Sequence, residues 1–110
     1  MSNKVLLVLT NLPDRASAQR VADALIESRA AACVNILAEC TSVYRWQEKM
    51  ETASEIPLLI KTTVAAYPHL ETTLRAHHPY ELPEIIAVTV EAGFPDYLQW
   101  VMQETTPIRT

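Results

Sequence analysis

The spacing of apolar residues changes several times along this chain, and each change marks an element. Val5-Leu6-Leu7-Val8-Leu9-Thr10 is a short continuous apolar run, the pattern of a strand buried on both faces. Asn11-Leu12-Pro13-Asp14 carries turn chemistry, with Asp14 placed to cap a helix. Ala18, Val21, Ala22, Leu25 and Ile26 then recur at the i, i+3, i+4, i+7, i+8 spacing of an amphipathic helix, while Arg15, Arg20, Asp23 and Glu27 take its other face. After Arg29 the period shortens. Cys33 to Leu37 and Thr41 to Trp46 read as strand, and together they allow one long strand from Ala32 to Trp46. Gln47-Glu48-Lys49 predicts a turn, and Ile56 to Thr63 a third strand. Pro57 has no N–H, so it should sit at an edge or a bulge. Tyr67, Leu70 and Leu74 mark one face of a second helix ending near His77, and Ile85 to Val90 reads as the fourth strand. Gly93-Phe94-Pro95-Asp96 opens a C-terminal helix with Tyr97, Leu98, Val101 and Met102 on its apolar side. The tail from Thr105 to Thr110 should fray.

The order β-α-β-β-α-β-α is that of the α+β, ferredoxin-like split βαβ arrangement with an added C-terminal helix. No repeat, linker or low-complexity segment interrupts it, so residues 1–110 read as one domain. A strand from Ala32 to Trp46 would span about 50 Å at about 3.3 Å per residue, long for so small a sheet. Such a central hairpin overhangs its own domain, with Tyr44 and Trp46 on an edge that another chain must cover. Length alone argues for an oligomer.

Composition narrows the function. Of the residues, 49% are hydrophobic and 20% charged, with a formal net charge of −4. The nine basic residues are scattered, with no run and no basic–aromatic interleaving, which argues against nucleic acid and anionic membranes as partners. No apolar run approaches the roughly 18 residues of a membrane span. The opening Met1 to Thr10 has too short an apolar run for a secretory leader, so the expected location is the cytoplasm. Cys33 and Cys40 should point to opposite faces of one strand unless a bulge intervenes, and both should be free thiols. Only one glycine, Gly93, occurs, which excludes a P-loop, a dinucleotide fingerprint and a nucleophile elbow. No Ser-His-Asp or Cys-His pairing has supporting local sequence, and an enzyme is not expected.

The densest chemistry lies in His77-His78-Pro79-Tyr80-Glu81-Leu82-Pro83-Glu84. Each proline fixes its own φ and pushes the residue before it toward extended geometry, so His78 and Leu82 should be extended. Imidazole and carboxylate on a rigid loop suit Cu(II), Zn(II) or Ni(II). His78, Glu81 and, more weakly, Cys33 are the candidate metal donors. A usable site would need residues from a neighbouring subunit, because the prolines hold single ligands apart. His77, at a helix end, complements the negative pole.

Five stretches in the same order resemble the CutA divalent-cation tolerance family: Ala31 to Ile36, Ser42 to Trp46, Ile60 to Thr63, His78 to Ile85, and Tyr97-Leu98-Gln99-Trp100. The resemblance runs from about Val5 to Trp100. It implies a tight trimer built from interlocking hairpins, similar in architecture to the PII signal-transduction proteins, and a role linked to copper and other divalent cations. Tyr44 and Trp46 then become trimer-interface anchors. No cofactor is required; Cu(II) or another divalent ion is the expected ligand, and an unidentified protein partner is compatible. The alternative is a PII-like sensor whose intersubunit clefts, lined by Lys61, Tyr80 and Glu84, bind a small metabolite. Two turns depart from the family pattern. Ala38-Glu39 stands where Pro-Gly is common, and Glu48 where a glycine is common; a non-glycine residue forced to positive φ costs on the order of 1 kcal/mol. Thr10 stands where some members carry a cysteine proposed as a metal ligand.

Overall fold

The structure, a computed structural model, describes residues 3–106. Its elements run β1 (Val5–Leu12), α1 (Arg15–Glu27), β2 (Cys33–Ile36), β3 (Cys40–Trp46), β4 (Lys49–Thr63), α2 (Tyr67–His77), β5 (Ile86–Thr89) and α3 (Pro95–Glu104). The strands form an antiparallel sheet in the order β2-β4-β1-β5, and β3 pairs with the outer part of β4. This is the expected ferredoxin-like α+β arrangement with a third helix appended.

Register determines which residues meet the helices. Leu6, Val8, Thr10 and Leu12 of β1 face Thr62, Ile60, Leu58 and Ile56 of β4 across the ladder. Side chains alternate with period two, and this set, with Ala18, Val21 and Leu25 of α1 and Leu70 and Leu74 of α2, forms the buried core. As expected, Asp14 caps α1: the Ser17 N–H donates to its Oδ1 at 2.7 Å. That bond is the main reason its carboxyl sits below the usual range. The opposite face of the sheet carries Leu7, Leu9, Leu59 and Lys61, with Ile86 and Val88 exposed on β5. α3 covers one end of that face, packing on β4 and β1 through buried Val101.

Four expectations about the strands are corrected, and the first is that β1 runs on through Asn11 and Leu12, which the sequence reads as turn. The second strand is not continuous from Ala32 to Trp46. It breaks at residues 37–39 into β2 and β3. The long strand is instead their partner β4, whose 15 residues start at Lys49, well before Ile56. At about 3.3 Å per residue it spans about 50 Å, and the molecule is 46 Å along its longest axis. The overhanging hairpin is therefore present, with β4 as its spine. Between the Ile36–Leu58 and Cys40–Glu55 pairs, residues 37–39 oppose only residues 56 and 57, which is a bulge. Pro57 sits at this bulge, where its missing N–H removes no regular ladder bond, while its carbonyl accepts from Leu37 N–H at 2.9 Å. The fourth strand is shorter than expected, Ile86–Thr89.

The bulge also reverses the cysteine parity. Cys33 opposes Lys61 and Cys40 opposes Glu55, two positions of even separation on β4, so both cysteines lie on the face away from α1 and α2. Both are free. They stand about 20 Å apart along the strand at about 3.3 Å per residue, too far for a disulfide.

At the hairpin turn Gln47 and Glu48 have φ of 49° and 68°, the left-handed pair of a type I′ turn that favours glycine. Ala38 and Glu39 do not have positive φ. Thr105 is not frayed, because its hydroxyl donates to Val101 O at 2.9 Å and the residue is buried. The rest of the expected frayed tail, residues 107–110, and residues 1–2 lie outside the described residues.

Candidate functional site

The loop after α2 is rigid, as its prolines require. His78 ends the helix with φ −78° and ψ 131°, the extended geometry that Pro79 demands of its predecessor. His77, one residue earlier, bonds Thr73 O through Nδ1 at 2.9 Å and adds basic character to the last turn.

His78 faces inward. Only 8% of its surface is exposed. Tyr80 N–H donates to its Nδ1 at 3.2 Å, which makes Nε2 the protonated nitrogen, donating to Asn11 O at 2.9 Å. Burial holds its pKa below the usual histidine value, against smaller opposing contributions from Asn11 O and Glu55. A metal-binding imidazole must offer a free lone pair. Here the only lone pair is taken by Tyr80 N–H, so this arrangement makes His78 the pin that fastens the loop to the end of β1.

The other side of the loop forms a cavity of about 650 Å³ against the root of the hairpin. Its walls include Tyr44 and Trp46 of β3, Glu55 of β4, Asn11 of β1, and Tyr80, Glu81 and Glu84 of the loop. Tyr80 Oη donates to Glu55 Oε2 at 2.8 Å, and Asn11 Nδ2 donates to Glu84 Oε1 at 3.1 Å. Burial first, and Glu55 second, push the Tyr80 phenol far above its ordinary pKa, so it stays a donor at all physiological pH. Tyr44, Trp46, Tyr80, Glu81 and Glu84 are thus brought together.

Cys33 and Lys61 are elsewhere. They form a cross-strand pair near α3, with Lys61 Nζ 3.8 Å from Cys33 Sγ and bonded to Asn35 Oδ1. Burial, with Cys33 as neighbour, raises the Tyr97 pKa. Lys61 lies six residues along β4 from Glu55, about 20 Å at about 3.3 Å per residue. Within one chain it does not share a cleft with Tyr80 and Glu84, and Cys33 does not converge with His78 and Glu81. Thr10 points into the helix-covered core, where its hydroxyl has no partner, so β1 presents no donor to the surface there. Among the described residues no three His, Cys, Asp or Glu side chains gather as a metal centre.

Sequence reasoning missed Glu55 and Asn11. Glu55 precedes the apolar run that marked the third strand. Its register opposite Cys40 becomes visible only once β4 is known to begin at Lys49.

This helix-flanked antiparallel fold is similar to that of solved CutA proteins. The structure from Xylella fastidiosa CutA matches with a TM-score of 0.91 at 46% identity, covering 94% of this chain and 99% of that one. The CutA1 divalent ion tolerance protein model matches residues 6–104, and the chain belongs to that family. The divalent-cation tolerance protein CutA of Thermus thermophilus is 43% identical over 90% of this chain and 96% of its own length. The mouse protein CutA is 44% identical over 87% of this chain, which spans about half (54%) of the mouse protein. One solved relative, from Archaeoglobus fulgidus, is described as periplasmic; it is 29% identical with a TM-score of 0.89, over 93% of this chain and 99% of its own. Among the described residues no helix is long and apolar enough to cross a membrane.

Proposed function

We propose that this chain works as a non-catalytic homotrimer in divalent-cation tolerance, with copper and other divalent ions held exchangeably at carboxylates. The cation role rests on family membership. The observation that carries the assembly is unfinished apolar surface: on the hairpin Val43 is 63% and Met50 76% exposed beside Tyr44 and Trp46, and Ile86 and Val88 lie open on the sheet. Large apolar side chains left open on both faces of the hairpin and on the sheet point to a protein interface. Two free cysteines held far apart suit a reducing cytoplasm.

A resident copper or zinc ion does not fit one chain, because His78 has no free lone pair and Cys33 is remote. The available donors are the oxygens of Glu81 and Glu84 at the cavity wall, hard ligands for weakly held divalent ions. Nothing in a single chain favours the PII-like alternative, since a cleft walled jointly by Lys61, Tyr80 and Glu84 is not formed there.

The test is titration of metal-free protein with Cu(II) and Zn(II), with metal quantitation before and after gel filtration. Saturable binding that gel filtration strips, weakened by E81Q combined with E84Q and unmoved by Cys33→Ser, supports the reading. A retained metal that H78A or Cys33→Ser abolishes overturns it.

A further inference from the structure

Arg29 stands in a backbone conformation that its side chain does not favour. It follows α1 as the left-handed residue of a Schellman motif, with φ of 60°. Its N–H donates to Ile26 O at 3.1 Å, and the next N–H, of Ala30, reaches back to Leu25 O at 3.0 Å. Glycine is the usual residue there, because a Cβ is penalised at positive φ. The guanidinium shows what an arginine adds. Its Nε donates to Thr106 O at 2.9 Å and its Nη2 to Gln103 O at 3.3 Å, so the end of α1 holds the C-terminus of α3.

α3 needs such a hold. A helix of 10 residues is too short to be stable alone in water, and within one chain Val101 is its only buried residue. Its last turn carries no base, and Glu104 puts a carboxylate at the negative pole of the helix. The other bonds at that end are local. The Thr105 and Thr106 hydroxyls donate to Val101 O and Met102 O, which closes the helix without attaching it to anything. Arg29 supplies both the missing positive charge and the attachment, from 74 and 77 residues away in sequence. Where α3 meets the sheet, Tyr97 neighbours Cys33, whose Sγ is 3.8 Å from Lys61 Nζ. All of these contacts lie within one chain.

We infer that α3 is a strap with one clamp. Arg29 holds it over the Cys33–Lys61 end of the sheet, and its two guanidinium bonds set how often that end is uncovered. Glycine at position 29 would relax the end of α1 and release α3 in one step. The inference goes beyond the metal reading and uses none of its carboxylate donors.

Two readouts test it on the assembled protein. The chain has two cysteines, so Cys40→Ser leaves Cys33 as the single thiol, and its reaction with the aromatic disulfide dithionitrobenzoate is timed. Amide hydrogen exchange is followed in α3, with α1 as the internal reference. In Arg29→Gly both Cys33 labelling and α3 exchange should speed up by about tenfold, while α1 exchange is unchanged or slower. Arg29→Ala, which keeps the strained Cβ and loses the clamp, should loosen α3 to the same extent. Arg29→Lys keeps a cation but not the fork of donors, and should fall between these and wild type. Circular dichroism and sedimentation check that each variant keeps its fold and mass. If Arg29→Ala is misfolded, the glycine and lysine variants decide, because glycine suits the backbone there. Unchanged α3 exchange in Arg29→Gly, as when neighbouring copies alone hold the helix, overturns the inference. Faster exchange of α1 and α3 together also overturns it, since Arg29 would then stabilise the fold at large. So does Cys33 labelling that stays at the wild-type rate while α3 exchanges faster.

Discussion

On the side of the sheet that meets α1 and α2, Val8, Leu12, Leu58 and Ile60 are fully buried. On the other side Ile86 and Val88 of β5 stay 51% and 50% exposed, and only one end is covered, by α3. Both sides are built from the same β-branched and leucine-rich strands, with alternate residues of β1 and β4 assigned to each. The difference shows that folding of one chain finishes only one of two apolar surfaces. In the proposed assembly the second layer comes from another copy of the chain, and the same reasoning extends to the hairpin, whose outer residues have no layer at all.

The comparison breaks most sharply in the closed face. Ile60→Ala removes a fully buried side chain between β1 and β2 and should cost about 2–5 kcal/mol in chemical denaturation. Ile86→Ala, on the open face, should cost less than about 1 kcal/mol in the isolated chain, because an exposed side chain loses little contact on truncation. Equal costs would mean that the two faces are not distinct.

A second effect comes from the loop that ties β1 to the site. His78→Ala should cost about 1–3 kcal/mol, since it strands Asn11 O and Tyr80 N–H. The folded pKa of His78 lies below the unfolded value near 6.5, so the unfolded chain binds more protons in that window. Its contribution is therefore complete above pH about 6.5 and is lost as pH falls from there toward the folded pKa. Denaturation midpoints measured across that range should drop in wild type and lose this component in His78→Ala. The smallest effect sharpens the hairpin. Glu48→Gly relieves a positive φ of 68° and should stabilise by up to about 1 kcal/mol, read from the thermal midpoint.

Legibility followed local signal. α1 and its N-terminal cap were readable because its apolar period and Asp14 are both local signals. The outer part of β4, Lys49-Met50-Glu51-Thr52-Ala53-Ser54, was not, because apart from half-buried Ala53 it is exposed on both faces within the chain, so no alternation is imprinted on it. The bulge at residues 37–39 was foreseen only through Pro57. In the site, the loop's rigidity and the grouping of Tyr80, Glu81 and Glu84 were legible. The role of His78 was not. Its Nε2 partner, Asn11 O, is 67 residues away in sequence, and a metal-ligand residue type says nothing about whether its lone pair is already taken.

The account's central claim is that the open face and the hairpin are covered by two further copies of the chain. Sedimentation equilibrium at micromolar concentration tests it most directly. The account predicts about three times the chain mass of 12.3 kDa for wild type. It also predicts a shift toward lower mass for Trp46→Ala, which removes an aromatic anchor worth about 2 kcal/mol or more per interface. A wild-type protein that sediments as a monomer would contradict it.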